Sequence, residues 1–367
     1  MKIAAVVILA ITLTTGCATT PPPYQESWGT YVEAYGTFCM QGMRVSPEEA
    51  GKLEAQLKSS PTDIDTRALL IGYYQRGVFN DPPRAANHIR HLIWAAENQP
   101  WSPLLATTCA NAHRPNYEPA QWIALSETWA RAVKRYGNDP RVLVNAAEFF
   151  NSEDLKRALE LHERAVKFAP DESSLHNGYA NALRDSARRA NDPEKTALFR
   201  KALKEFEETY RLEYPDLFRP FIKFDIAETA FDLRDLAKAR ERANELLTGE
   251  STQYHGERAH ILLARIDTAT GDKVSAMSHI RTALSVAAKT DQKYGNPNLD
   301  LVKEMIDKQD QAGAIEYLKL CEGLYKNDVW KLKSIQACIR AGKTPEFSDW
   351  YCDMGSTPCT STVMSTP

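Results

Sequence analysis

"DPRVLVNAAEFFNSEDLKRALELHERAVKFAP", Asp139–Pro170, decides the fold. Val142, Ala146 and Phe149 recur at helical intervals before "NSED", and Leu155, Ala158, Leu161, Ala165 and Phe168 do so after it. Two amphipathic helices joined by a tight connection follow from that spacing. Counting Asp139 as position 1, Ala146, Phe149, Ala158, Ala165 and Pro170 occupy positions 8, 11, 20, 27 and 32. Small side chains at 8, 20 and 27 let two helices approach closely, and the aromatic ring at 11 fills the space between them. The proline ends the second helix.

The same register returns further along. With Pro220 as position 1, Ala227, Ala239 and Leu246 stand at 8, 20 and 27; with Glu257 as position 1, Ala264, Gly271, Ala276 and Ala283 stand at 8, 15, 20 and 27. Gly271 before Asp272 suits the turn between helices. Ala158, Ala202, Ala239 and Ala276 mark successive second helices 44, 37 and 37 residues apart, the long interval being taken up by "ARRANDPEKT" in a helix pair from Ser173 to Leu212. This pattern resembles the tetratricopeptide repeat, a helix–turn–helix unit of about 34 residues. The resemblance implies an all-α fold, a right-handed solenoid of helical hairpins. It is specific over 139–290 and weaker over 60–138.

Upstream, "TRALLIGYYQRG" and "PRAANHIRHLIWAAENQP" read as one helix pair, and "WSPLLATTCANAH" with "PAQWIALSETWARAVKRYG" as the next. Downstream, "NLDLVKEMIDKQDQAGAIEYLKLCEGLY" and "VWKLKSIQACIRAG" read as two more helices, forming a cap over 291–343. Terminal units of a solenoid must cover an exposed apolar face, so atypical ends are expected. Residues 344–367 read as a cysteine-containing loop and a loose tail, "TSTVMSTP".

At the other end, Met1 and Lys2 precede an apolar stretch, Ile3–Leu13, of 11 residues. A membrane-crossing helix needs about 20, whereas a secretory signal peptide fits. Thr15-Gly16-Cys17 resembles the end of a bacterial lipobox, in which the cysteine is acylated and becomes the new N-terminus. Thr14 stands where that box usually has leucine. Residues 1–16 are then a lipoprotein signal, Cys17 the lipidation site, and 17–27, with Pro21-Pro22-Pro23, an extended tether. An ordinary signal cut leaving Cys17 as a plain thiol, or a cytosolic chain, are the alternatives. Ala18, where such lipoproteins carry aspartate for inner-membrane retention, points to the outer membrane. Residues 28–138 form an N-terminal helical segment of degenerate repeats.

Composition describes a soluble globular chain, 43% hydrophobic and 25% charged. Without Met1–Gly16, 44 basic face 48 acidic residues, too balanced for a nucleic-acid binder. Six cysteines remain besides Cys17. In an exported chain they are compatible with disulfides. Cys352 and Cys359, in "CDMGSTPC", are the expected pair; Cys321 and Cys338 read as buried thiols.

Enzyme signatures are missing: there is no Gly-rich phosphate loop, no G-x-S-x-G and no HExxH. His88 and His91 lie three apart and could share a metal, but no carboxylate completes the set, and they read as surface histidines. No catalytic residue, metal, cofactor or small-molecule substrate is evident. The resemblance implies a groove lined by first helices. Its positions fall on Asn177, Asn181 and Arg184, which share one helix face, on the aromatic Phe224 and Phe231, and on Arg258 and Arg265. Asparagine and arginine hydrogen-bond peptide groups and aromatics anchor interfaces. A solvated polar face and inter-repeat core are the plainer readings. The lysine of a carboxylate clamp is missing, since its places hold Leu143 and Asn177. The expected function is a lipid-anchored periplasmic scaffold that binds a protein partner. An accessory subunit of an envelope assembly or export machine, or an enzyme on a helical scaffold, are the alternatives.

Overall fold

Aspartate and proline set where many helices begin in the computed structural model, which describes residues 28–212, 218–248, 252–289, 297–345 and 359–363. Asp81 accepts the Arg84 N–H ahead of Pro82, and Asp139 accepts the Arg141 N–H ahead of Pro140. Ser46 and Glu49 cap each other reciprocally around Pro47. An acceptor at the cap and a proline in the first turn satisfy or remove donors that no helical carbonyl can reach.

The chain divides into two units, the first ending at Phe168 and the second starting at Ala169. The division falls inside 139–290, after its first helix pair. The first unit holds α1 (Trp28–Gly42), α2 (Pro47–Ser59), α3 (Ile64–Gln75), α4 (Pro82–Asn98), α5 (Pro119–Tyr136), α6 (Pro140–Phe150) and α7 (Leu155–Phe168). Consecutive helices from α3 to α7 pack on one another, and α1 lies against α3. That last approach is close. A Cβ at Gly72 would collide with the Cys39 carbonyl, and one at Gly42 with that of Leu69. Glycine lets the two backbones cross here.

Two expectations fail in this unit, each because the partners come from elsewhere in the chain. "WSPLLATTCANAH" is not a helix. It makes short 3-10 turns at Pro103–Ala106 and Thr108–Ala110, with a third at Arg114–Asn116. The Thr107 hydroxyl bonds the Leu104 carbonyl, and the Asn145 amide holds the Pro100 and Ser102 carbonyls. A disulfide ties Cys109 to Cys39, with Cα atoms 6.2 Å apart across 70 residues of sequence; closing a loop of that length stabilises by about 4 kcal/mol. His88 and His91 are not surface residues: both are 0% exposed. His88 Nε2–H donates to the Cys109 carbonyl (2.8 Å) and its Nδ1 accepts from the Tyr117 hydroxyl (2.7 Å). His91 Nδ1 accepts from Arg67 (2.9 Å), so its Nε2–H donates to Glu54 (2.9 Å). These rings are polar staples of the core.

The second unit stacks helix hairpins: α8 (Ser173–Arg189) with α9 (Glu194–Arg211), α10 (Arg219–Asp232) with α11 (Leu236–Glu245), α12 (Thr252–Thr270) with α13 (Lys273–Lys289), and α14 (Leu299–Asp307) with α15 (Gln311–Cys321). It is a helical-hairpin solenoid of tetratricopeptide-like repeats, as the spacing predicts. Ala158 of the first unit and Ala202, Ala239, Ala276 and Ala314 of the second are all at most 1% exposed. Ala314 thus adds a repeat that "NLDLVKEMIDKQDQAGAIEYLKLCEGLY", read as one helix, conceals. α16 (Val329–Arg340) follows, then β1 (Lys343–Pro345) paired antiparallel with β2 (Cys359–Val363). The segment expected as a loose tail therefore contributes a strand. Cys321 is a free, buried thiol, whereas Cys338 is disulfide-bonded. Cys17 and Cys352 lie outside the described residues, and of the Cys359 side chain nothing is described.

One turn recurs in three of these hairpins. Arg234 (φ 63°), Gly271 (φ 84°) and Gln309 (φ 56°) are left-handed. The next residue, Asp235, Asp272 or Asp310, donates its N–H to the carbonyl of Ala230, Asp267 or Met305 (2.9, 2.9 and 2.7 Å). Its side chain then caps the following helix through Lys238, Ser275 or Gly313. Left-handed backbone costs an ordinary L-residue about 1–2 kcal/mol. Gln309→Gly is therefore expected to raise stability to urea by about 0.5–1 kcal/mol; an unchanged or lower midpoint would contradict this account of the turn.

Proton binding differs between the units. Burial holds His88 and His162 down at about 4, and the hydrogen bond from His91 is the main reason Glu54 is held down at about 2. Every acid or histidine of the first unit with a resolved shift lies below its ordinary value. The folded unit thus binds fewer protons than the unfolded chain, and its stability is lost as pH falls from about 6.5 to 4, by about 3 kcal/mol for each of the two buried histidines. In the second unit the shifts run both ways: burial raises Glu257 to about 7 and Asp232 to about 6, which act in the opposite sense, while it lowers His255, His260 and His279. His176 on α8 and Asp225 on α10 are raised as well, so hydrogen exchange at decreasing pH should show protection lost over α2–α5 before α8–α10. The reverse order would refute the assignment.

Candidate partner-binding surface

The first helices of the second unit are joined by charges about one repeat apart. Arg184 on α8 meets Asp225 on α10 at 2.6 Å and Glu228 at 3.5 Å, and Arg188 meets Glu228 at 3.0 Å. Arg265 on α12 grips Glu304 on α14, its Nη2 lying 2.7 Å and its Nε 3.1 Å from Oε1. Two of the guanidinium groups also lie on rings of the preceding first helix: Arg258 is 3.9 Å from the Phe224 centroid and Arg265 is 4.6 Å from that of Phe231. Such stacking contributes about 0.5–2 kcal/mol each. It also explains why rings on a helix face meant for solvent are covered.

Two cavities open along this face. The smaller, about 360 Å³, is lined by Phe224, Glu228, Glu257, Arg258, Ile261 and Arg265, with Tyr317 and Tyr325 from beyond α14. The larger, about 680 Å³, involves Arg188, Lys195, Phe231, Asp232, Arg265 and the acidic and basic residues of α14. They share Glu228 and Arg265. Between them they touch α8, α10, α12 and α14, so one polar-lined trough spans four successive first helices.

The residues singled out from sequence fall into two groups. Phe224, Phe231, Arg258 and Arg265 line the cavities. Phe224 and Phe231 are 6% and 3% exposed, so they form the walls under the arginines. Asn177, Asn181 and Arg184 lie on α8 beside the trough. Asn181 donates to the Asn177 carbonyl (2.9 Å) and accepts from Arg184 (2.8 Å). This network aims the Arg184 guanidinium at Asp225. Glu257, Asp232 and Glu304 were missed. Glu304 belongs to a repeat hidden by its atypical sequence. The usable signal was the interval, since Arg184–Asp225, Arg188–Glu228 and Arg265–Glu304 are separated by 41, 40 and 39 residues.

No protein-family profile matches the chain, and no curated protein matches it. Solved structures similar to it include TTC0263, a thermophilic TPR protein of Thermus thermophilus (20% identity, 52% of this chain and 91% of that one, TM-score 0.35). A human IFIT1 dimer with m7Gppp-AAAA is also similar (15% identity, 84% and 72%, TM-score 0.47). PilF of Pseudomonas aeruginosa is a third (14% identity, 59% and 90%, TM-score 0.37). With identities this low and every TM-score below 0.5, they carry no functional assignment.

The Arg265–Glu304 pair supplies a direct test of the cross-repeat bonds. Removing one partner leaves the other charge uncompensated and largely buried. Glu304→Gln is expected to lower unfolding free energy by about 2–3 kcal/mol, discounted from a wholly buried pair because Glu304 keeps some solvent contact. Arg265→Met with Glu304→Leu should lose less than the single variant. Urea unfolding of both decides it: a double variant that loses as much as Glu304→Gln, or more, would remove the coupling.

Proposed function

We propose that this chain is a lipid-anchored scaffold of a bacterial envelope, attached through Cys17 to the outer membrane, facing the periplasm, and binding another protein along the first-helix face of the second unit. The anchor and its location rest on the pattern from Met1 to Ala18. The binding face rests on one observation, the polar-lined trough across α8, α10, α12 and α14. Its walls are held by ion pairs and cation–π stacks, so a partner would meet a surface already ordered, and less side-chain freedom would be lost on binding. Asp300, Lys303 and Asp307 stand exposed at its rim, where charge steers encounter and selects partners. The reading calls for no catalytic residue or cofactor.

In-cell cross-linking of the native tagged protein, followed by mass spectrometry, tests this. The variants are Cys17→Ala and the rim reversal Asp300→Lys with Asp307→Lys. A protein partner is expected whose yield falls at least about fivefold in the rim variant and which is displaced from the membrane fraction in the Cys17 variant. A stoichiometric single partner would make the chain a fixed subunit of an envelope assembly. No partner, or yields indifferent to the rim, would reject the binding face. Full membrane retention of Cys17→Ala would reject the anchor.

A further inference from the structure

Most charged or hydrogen-bonding groups in the wall of the smaller cavity are already satisfied. Glu228 is held by Arg184 and Arg188, Arg265 by Glu304, and the Tyr317 hydroxyl by the Asn298 N–H at 2.8 Å. Glu257 and Arg258 are the charged exceptions, beside the Tyr325 hydroxyl. They are adjacent in sequence and line the same cavity, yet neither makes a hydrogen bond or ion pair with any other described residue. Glu257 Oε2 is shielded from water and has no donor. Arg258 lies over the Phe224 ring and attracts the Asp225 and Glu257 carboxylates through space, without a hydrogen bond to either. A buried acceptor without a donor and a guanidinium without an acceptor, side by side, is a costly arrangement that a ligand would relieve.

The complement is a molecule with one strong donor and one strong acceptor on neighbouring atoms. A simple cation would satisfy Glu257 but meet Arg258; a simple anion would satisfy Arg258 but meet Glu257. A compact zwitterion satisfies both. Ile261, Leu262 and Leu284 make up most of the remaining wall, beside the ring of Tyr325, and offer no hydrogen bond, so a mainly apolar remainder of the ligand fits best. The volume, about 360 Å³, sits at the lower end of the ~300–1,000 Å³ of small-molecule sites. We infer that this cavity binds a free α-amino acid with an apolar side chain, its ammonium on Glu257 and its carboxylate on Arg258. This is a ligand class of which the bare sequence shows no sign, and it does not depend on the partner-binding reading.

Proton release provides a second readout. Around Glu257 stand Arg258, Glu228, Arg265, Tyr317 and Tyr325, with the Cys321 thiol behind them. Burial raises Glu257 to about 7, opposed by Arg258. An ammonium group arriving there displaces the proton that part of the empty protein carries, so binding should release protons between about pH 6 and 7 and tighten as pH rises through that window.

Calorimetry on the full chain with L-leucine and L-phenylalanine tests the site, with 4-methylpentanoate and isoamylamine as leucine analogues lacking one charge each. Saturable binding of at least one amino acid is expected. It should weaken at least about tenfold for both analogues and at least about tenfold in Glu257→Gln and in Arg258→Gln. In two buffers of different ionisation heat it should show proton release. Thermal melts establish that the variants are folded; if Arg258→Gln is not, the analogue series on the unaltered protein still decides. The proposal is overturned if none of the twenty amino acids binds saturably up to about 10 mM, if either analogue binds as well as leucine, or if binding is unchanged in folded Glu257→Gln.

Discussion

Everything in the second unit depends on how closely the two helices of a hairpin can approach. An alanine at the same place in each second helix, from Ala202 to Ala314, is almost wholly covered. A larger side chain there would separate the helices, and the larger residues around it, such as Phe206, Ile226 and Leu263, would lose their van der Waals contacts. The first unit repeats this at Ala158 in its α6–α7 hairpin and meets the same requirement differently at its start. Its tightest crossing is made by glycines, Gly42 and Gly72, against bare backbone, and a disulfide holds the irregular segment after α4 in place.

Close packing also fixes what the first helices can offer a ligand. Since hairpins stack at short range, arginines on one first helix reach acids and rings on its neighbours. Arg184, Arg265 and Arg258 are thereby drawn into the wall. The groove residues suggested by repeat positions are consequently as much mortar as surface. What stays unspent is the rim charge of α14 and the pair Glu257 and Arg258.

The repeat register was legible because alanine, glycine and proline act through local sterics, which a short stretch of chain displays by itself. Gly271 shows its turn openly; Arg234 and Gln309 adopt the same backbone without a residue type that announces it, which is why α14 and α15 read as one helix. His88 and His91 illustrate the opposite difficulty. A histidine on a helix face looks solvated until its partners, Tyr117 and Glu54, are brought in from 29 and 37 residues away. The 3-10 segment around Cys109 could not be read either, because Asn145 and Cys39 hold it from distant parts of the chain. Glu257 was invisible for a further reason: its significance lies in the partner it lacks.

The cross-repeat ion pairs have a consequence for how such a chain could change over evolutionary time. A solenoid of identical modules can lose or gain one and close up again. Here the modules are written for their neighbours. In the 37-residue register that carries Ala239 onto Ala276, Asp225 corresponds to Leu262 and Glu228 to Arg265. Excising the α10–α11 module would set Arg184 against a leucine and another arginine, replacing two attractions by a repulsion. The order of the hairpins is therefore encoded in their charges, and the array is closer to a sentence than to a string of beads.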